Sequence, residues 1–203
     1  LPMNTVSRCS VDMRVKYYKD NLNQGRMDRE EILELFKNED SKQNVLTTLT
    51  QTDDPKIIQE IIKLFDDERI EIRGEVFSTL FLNQNNILKE LIIGLNHESK
   101  NVRGYVLLVL ANRNEKESIQ EIIKLTKDSS GLVRTYAYGS LGHLESKEAA
   151  LELHKGIFDS NIEAVKSAAY ALSRIKEKIV EKEIDRLHEF NDPDFDKILK
   201  FFN

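Results

Sequence analysis

The sequence has no tryptophan, one cysteine, three prolines and eight glycines in 203 residues. A single thiol, Cys9, excludes an internal disulfide framework and a multi-cysteine metal site. No run of about 18 apolar residues is present, which excludes a transmembrane helix. Basic residues are not in excess. Thirty lysines and arginines face thirty-five acids, for a net charge of −5, whereas a surface built for a phosphate backbone is more often basic. Leu1–Ser10 contains no apolar stretch of the secretory type, so a cytoplasmic protein is expected. Opening on Leu1 leaves Met27 as a candidate natural start. What the chain does have is apolar content of 40% and charged content of 32%, enough for a folded core.

The apolar residues recur. Leu49, Leu80, Leu110, Leu141 and Leu172 are spaced 31, 30, 31 and 31, and Val45, Val76, Val106, Ala137 and Ala168 keep the same intervals. A separation of four between the two columns places them on one helix face. A second set runs between the copies: Ile58, Leu88, Ile119 and Ala150, with Ile61, Leu91, Ile122, Leu153 and Ile184. Ile58, Ile61, Ile62 and Phe65 form one stripe at i, i+3, i+4 and i+7. Each unit of about 31 residues is therefore a pair of amphipathic helices, A then B. Asp54-Pro55 and Asp192-Pro193 each place an N-cap ahead of proline at the first helical position. Asp28-x-x-Glu31 has the form of a capping box opening a helix over 29–37. Such short pairs cannot bury their faces alone and must stack on neighbours, so the expected fold is an all-α solenoid.

Leu132–Ala150 reads LVRTYAYGSLGHLESKEAA. Its Val133-Arg134, Ala137, Ser140-Leu141-Gly142 and Leu144 resemble the HEAT-like repeat of the phycobilin-lyase type, and Ile72-Arg73 and Val102-Arg103 match the same helix-A entry. The resemblance covers residues 28–190. It implies an acid just ahead of each arginine, bonding across the stack, and that column reads Asp67, His97, Asp128 and Asp159. His97 at this place predicts a missing ion pair at the Arg103 junction. Copy one departs with Ser41-Lys42, and the last copy with Ala164-Val165 and Lys166 one position late. Proteins of this resemblance are mostly scaffolds that bind other proteins. A minority are bilin lyases, an iron hydroxylase acting on a modified lysine, or alkylpurine DNA glycosylases.

The residues give little support to the enzymatic branches. A di-iron site needs His-Glu pairs converging inside several A helices, but of the four histidines only His97-Glu98 and His188-Glu189 form such pairs, three repeats apart. DNA processing needs a basic groove with aromatics to hold an extruded base. Gly74, Gly104, Gly131 and Gly142 fit no phosphate loop, and Gly74 and Gly104 occupy equivalent helix-A positions that suit close helix crossing. Cys9 has no histidine near it in sequence. No catalytic residue, metal or cofactor is expected.

The outer side of helix B carries Glu60, Glu90, Glu121, Glu152 and Glu183, spaced 30, 31, 31 and 31, followed three residues on by Lys63, Ile93, Lys124, Lys155 and Arg186. One reading is a solvated face whose i, i+3 pairs each stabilise a helix by about 0.2–0.5 kcal/mol. The other takes Ile93, followed by Gly94, as an apolar flat spot that interrupts a charged ladder on a concave surface. There a partner docks an anchor among Glu60, Lys63, Glu90, Glu121, Lys124, Glu152 and Lys155. Tyr105 and Tyr136, one residue before core positions, are expected to lie between repeats. Phe195, Ile198, Leu199 and Phe202 form a stripe that seals the last repeat or, alternatively, pairs with a second copy. Residues 1–26 are an extension with a candidate capping helix over 10–22 bearing Val11, Val15 and Tyr18, and partly mobile. Residues 27–203 form a right-handed stack of about five helix pairs with caps at both ends. The expected function is a non-catalytic scaffold for a protein or peptide partner, with no nucleic acid and no membrane, the chain being a monomer or a homodimer through its last helix. The alternative is a lyase-like or regulatory subunit handling a pigment or other cofactor.

Overall fold

In the computed structural model, the residues described are Met13, 15–21 and 27–202. Among them every regular element is helical. Residues 15–21 are helical; Val11 and Cys9 lie outside the described residues. The elements are α1 (Arg29–Leu35), α2 (Glu39–Leu46), α3 (Pro55–Lys63), α4 (Ile70–Leu82), α5 (Leu88–Gly94), α6 (Lys100–Asn112), α7 (Ile119–Leu125), α8 (Gly131–His143), α9 (Ala150–Gly156), α10 (Ile162–Arg174), α11 (Glu181–Glu189) and α12 (Pro193–Leu199). The A helices are α2, α4, α6, α8 and α10; the B helices are α3, α5, α7, α9 and α11. The chain divides into two compact units, one up to Glu90 and one from Leu91.

In the first unit the helix starts follow the sequence signals. The Asp28 carboxylate accepts Glu31 N–H while Glu31 accepts Asp28 N–H, both at 2.9 Å. Asp54 accepts the amides of Lys56 and Ile57 ahead of α3. The apolar columns point inward: Val45, Leu49, Ile58, Ile61, Ile62, Phe65, Ile72, Val76 and Leu80 are all buried. Buried aliphatic and aromatic side chains each contribute about 1.5–3 kcal/mol relative to an exposed position. The Thr79 hydroxyl donates to the Leu46 carbonyl at 3.0 Å, tying α4 to α2. Helix α4 ends with Asn83 in extended backbone. Its buried side chain donates to the Thr52 carbonyl at 2.7 Å and accepts Asn85 N–H at 2.8 Å.

The second unit repeats more strictly. Val106, Leu110, Val133, Ala137, Leu141, Val165, Ala168 and Leu172 are fully buried. Helices α6, α8 and α10 end on Asn114, Glu145 and Lys176, at φ 57°, 52° and 58°. In each, the amide one residue further on reaches back to the helix: Glu115 to Leu110 O, Ser146 to Leu141 O and Glu177 to Leu172 O. This closure satisfies the last carbonyls and normally uses glycine at the left-handed position. The Ser140 hydroxyl donates to the Leu107 carbonyl at 3.0 Å, tying α8 to α6. A Cβ on Gly142 would stand 2.7 Å from Ala171 Cβ and 2.8 Å from its Cα, so α8 and α10 approach there by virtue of glycine. Gly104 packs against the Tyr136 ring as expected, but Gly74 faces open space, so no helix crossing explains it. Tyr105 and Tyr136 lie half-buried with ring centroids 6.4 Å apart. Phe195 and Ile198 of α12 are buried, and Phe195 stacks on Phe190 at 4.9 Å, so this half of the stripe packs on the last repeat, while Leu199 and Phe202 stay partly exposed.

The base–acid column works in the opposite direction from the one expected. Lys42, Arg103 and Arg134 each reach the acid 25 residues ahead. Arg103 grips Asp128 through Nε and Nη2 at 2.8 and 2.9 Å, and Arg134 grips Asp159 through the same atoms at 2.7 Å each. Lys42 reaches Asp67 at 2.7 Å, so lysine in copy one preserves the link. Each arginine also binds the turn behind it: Arg103 donates to the carbonyls of His97 and Glu98 at 2.8 Å, and Arg134 to that of Asp128 at 2.8 Å. Arg103 therefore keeps its ion pair, because His97 supplies a carbonyl to it and not a carboxylate. Among the described residues, the base of this column with no carboxylate partner is Arg73. It donates to the carbonyls of Asp67 and Glu68, and its Nε is buried without a partner.

Candidate protein-binding face

The four members of the acid column share a second task. Asp67, Asp128 and Asp159 each accept the backbone N–H two residues on, at 2.8–3.0 Å, and His97 does the same through Nδ1, which accepts Ser99 N–H at 3.0 Å. His97 thus replaces the turn-forming half of aspartate and omits its charge. Burial on its own pushes the carboxyls of Asp67, Asp128 and Asp159 upward. Hydrogen bonds from Lys42, Arg103 and Arg134 respectively, together with backbone N–H groups and the charge of those bases, outweigh it and hold all three below the usual range. Inside the second unit, burial pushes the Tyr138 hydroxyl up to about 12; it donates to the Thr126 carbonyl at 3.3 Å.

These links orient the B helices, whose outer sides carry the charged rungs. In the first unit Lys63 pairs with Glu60 at 2.6 Å. In the second, Lys124 pairs with Glu121 at 2.6 Å and Lys155 with Glu152 at 2.8 Å. The lysines are all well exposed. The last rung departs from the pattern. Glu183 is buried, accepts Val180 N–H at 2.9 Å and lies 2.7 Å from His154 Nδ1, while Arg186 pairs with Glu189 instead.

Helix α5 carries the exception. Ile93 is half exposed, at 50%. Glu90, expected on the solvated flank, is buried at 8%, and the Gln59 side chain donates to its backbone carbonyl at 3.0 Å. Gly94, expected as a flat surface spot, is buried as well. The chain turns back over it, with His97 N–H bonding the Gly94 carbonyl. Its counterpart 62 residues on, Gly156, has the same inward role: a Cβ there would stand 2.6 Å from Ala168 and 2.8 Å from the Tyr138 ring. That shared column was the signal that Gly94 packs inward. Sequence reading also missed Leu151, on the outer side of α9 at 64% exposure. No cluster of three metal-ligating side chains occurs among the described residues, and no described helix is long and apolar enough to cross a membrane.

Residues 88–173 match the family model for HEAT repeats. That stretch is HEAT-like, and the described residues as a whole have the all-helical fold of repeat solenoids. The chain's fold is similar to that of a designed armadillo repeat protein solved in complex with the peptide (KR)4, at TM-score 0.51 and 17% identity over 87% of this chain and 100% of the other. It is also similar to an engineered protein at TM-score 0.51 and 16% identity, over 86% of this chain and 95% of the other. No curated protein matches it. The HEAT match covers most of the second unit, the part where repeat spacing, ion pairs and helix closures are most regular.

Proposed function

We propose that this all-helical repeat protein is a non-catalytic scaffold that binds a protein or peptide along the outer sides of its B helices, on a concave face. Ile93 carries this reading: it is half exposed at the one rung where the base of the Glu–Lys pattern gives way to an apolar side chain. Exposed apolar side chains set among charges serve as anchors, while the charges fix orientation. In the second unit those charges are Glu121, Lys124, Glu152 and Lys155, already held in place by their own pairs. The first unit offers Glu60 and Lys63 in the same form. Glu90 and Gly94 support the helix from beneath and make no partner contact. The designed armadillo repeat protein, solved in complex with the peptide (KR)4, is one instance of a stacked-helix fold that holds a peptide.

The test is affinity capture from the source cell with the wild-type chain and with Ile93→Lys, read by quantitative mass spectrometry. Ile93→Lys restores the charged ladder and should reduce the retained partner at least about tenfold, as loss of an interface anchor does. An unchanged set of retained proteins would refute Ile93 as the anchor.

A further inference from the structure

The surface beside α12 in the second unit holds a groove with an exposed aromatic ring in its wall. The ring is Phe201, exposed at 64% and held edge-on against Tyr170 with centroids 6.2 Å apart. The groove has a volume of about 500 Å³ and an apolar floor of Ile179, Ile184, Leu199 and Phe202. Its rim carries Lys176, Glu177 and Lys178 in succession, with Lys176 presented from left-handed backbone. Phe195 and Ile198, which sequence periodicity places in one stripe with Leu199 and Phe202, are buried. The outward surface therefore takes only Leu199 and Phe202 from that stripe and adds Ile179, Ile184 and Phe201.

We propose that this surface docks a second copy of the same chain about a twofold axis, each Phe201 entering the partner's groove. In a twofold interface one patch meets itself reversed, so it must contain both the side chain that inserts and the cavity that receives it. This patch contains both within one stretch of chain. It must also tolerate its own charges, and a rim alternating Lys, Glu, Lys can set each carboxylate opposite an ammonium. A rim of one sign would repel its copy and suit a foreign partner. The central aromatic surrounded by polar groups is the usual anatomy of an energetic anchor.

Sedimentation velocity on the full chain, from micromolar to millimolar concentration, reads the result. The mass should rise from the 23.5 kDa of one chain toward twice that value. Phe201→Asp should weaken the dimer at least about tenfold, with the helical signal and melting temperature of the monomer unchanged, since the ring is exposed. Glu177→Lys should weaken it by facing like charges across the axis, and adding Lys178→Glu should restore it. A wild-type chain that stays at one mass throughout overturns the proposal, as does a Phe201→Asp chain that pairs like wild type. Ile93→Lys should pair like wild type, which separates this surface from the partner-binding face.

Discussion

The two units solve the same packing problem with different rigour. In the second, three A helices close with the same left-handed turn at 31-residue intervals, and two arginines grip aspartates bidentately. In the first, α4 ends in extended backbone, with Asn83 and Asn85 donating to the 51–52 turn, and Arg73 has no carboxylate partner among the described residues. A repeat array is approximately a sum of local units and nearest-neighbour terms. The contrast teaches that these terms are set by a few polar residues per junction, since the apolar columns are equally buried in both units.

The sharpest way to break the contrast is through glycine. Gly142→Ala forces a Cβ into Ala171 and should destabilise the second unit by about 2–4 kcal/mol, whereas Gly74→Ala meets nothing and should stabilise by about 0.5–1 kcal/mol. Thermal denaturation followed by circular dichroism checks both. The ion pairs come next. Asp159→Asn removes the charge and one of the two acceptors of a well-buried arginine pair, setting an amide N–H against the guanidinium, and should cost about 2–3 kcal/mol, while Arg73→Met, which breaks no ion pair, should cost less than half as much.

The same pairs set an acid limb. Asp67, Asp128 and Asp159 have folded values held below their ordinary 3.8. Their contribution is complete above the unfolded value and is lost as pH falls through the depressed folded ones. Stability of the wild type should therefore fall below about pH 4, and Asp159→Asn should flatten that fall in denaturant titrations. The smallest effect belongs to the helix ends. Glu145→Gly or Lys176→Gly relieves left-handed strain and should add about 0.5–1 kcal/mol. Asn83→Gly, at the equivalent end in the first unit, should be destabilising because it deletes buried hydrogen bonds.

Much of the fold was legible because apolar periodicity and caps are local. Leu49 to Leu172, Asp54-Pro55 and the Asp28–Glu31 box all read correctly from spacing. The direction of the ion pairs did not, since an arginine that binds one turn behind and another ahead leaves the same sequence pattern whichever carboxylate it grips. His97 misled for the same reason: its loss of charge falls on the preceding base. The helix ends were hidden because Asn114, Glu145 and Lys176 stand where glycine is the usual signal. At the candidate face, Ile93 was legible as an interruption of the ladder. The burial of Glu90 and Gly94 was not, because it is set by tertiary packing, with Gln59 bonding the Glu90 carbonyl and a returning turn over Gly94.

The hydroxyls of Thr79 and Ser140 have a consequence for how such a stack keeps its place. Layers that resemble one another can slip along their shared apolar seams, because hydrophobic contact has no direction. A hydroxyl aimed at one carbonyl of the preceding A helix does have direction: Leu46 for Thr79 and Leu107 for Ser140. A slip of one helical turn would leave a buried donor without its acceptor, at a cost of about 1–3 kcal/mol. Two small polar atoms, one in each unit, thus act as registration marks that an otherwise interchangeable set of layers would lack.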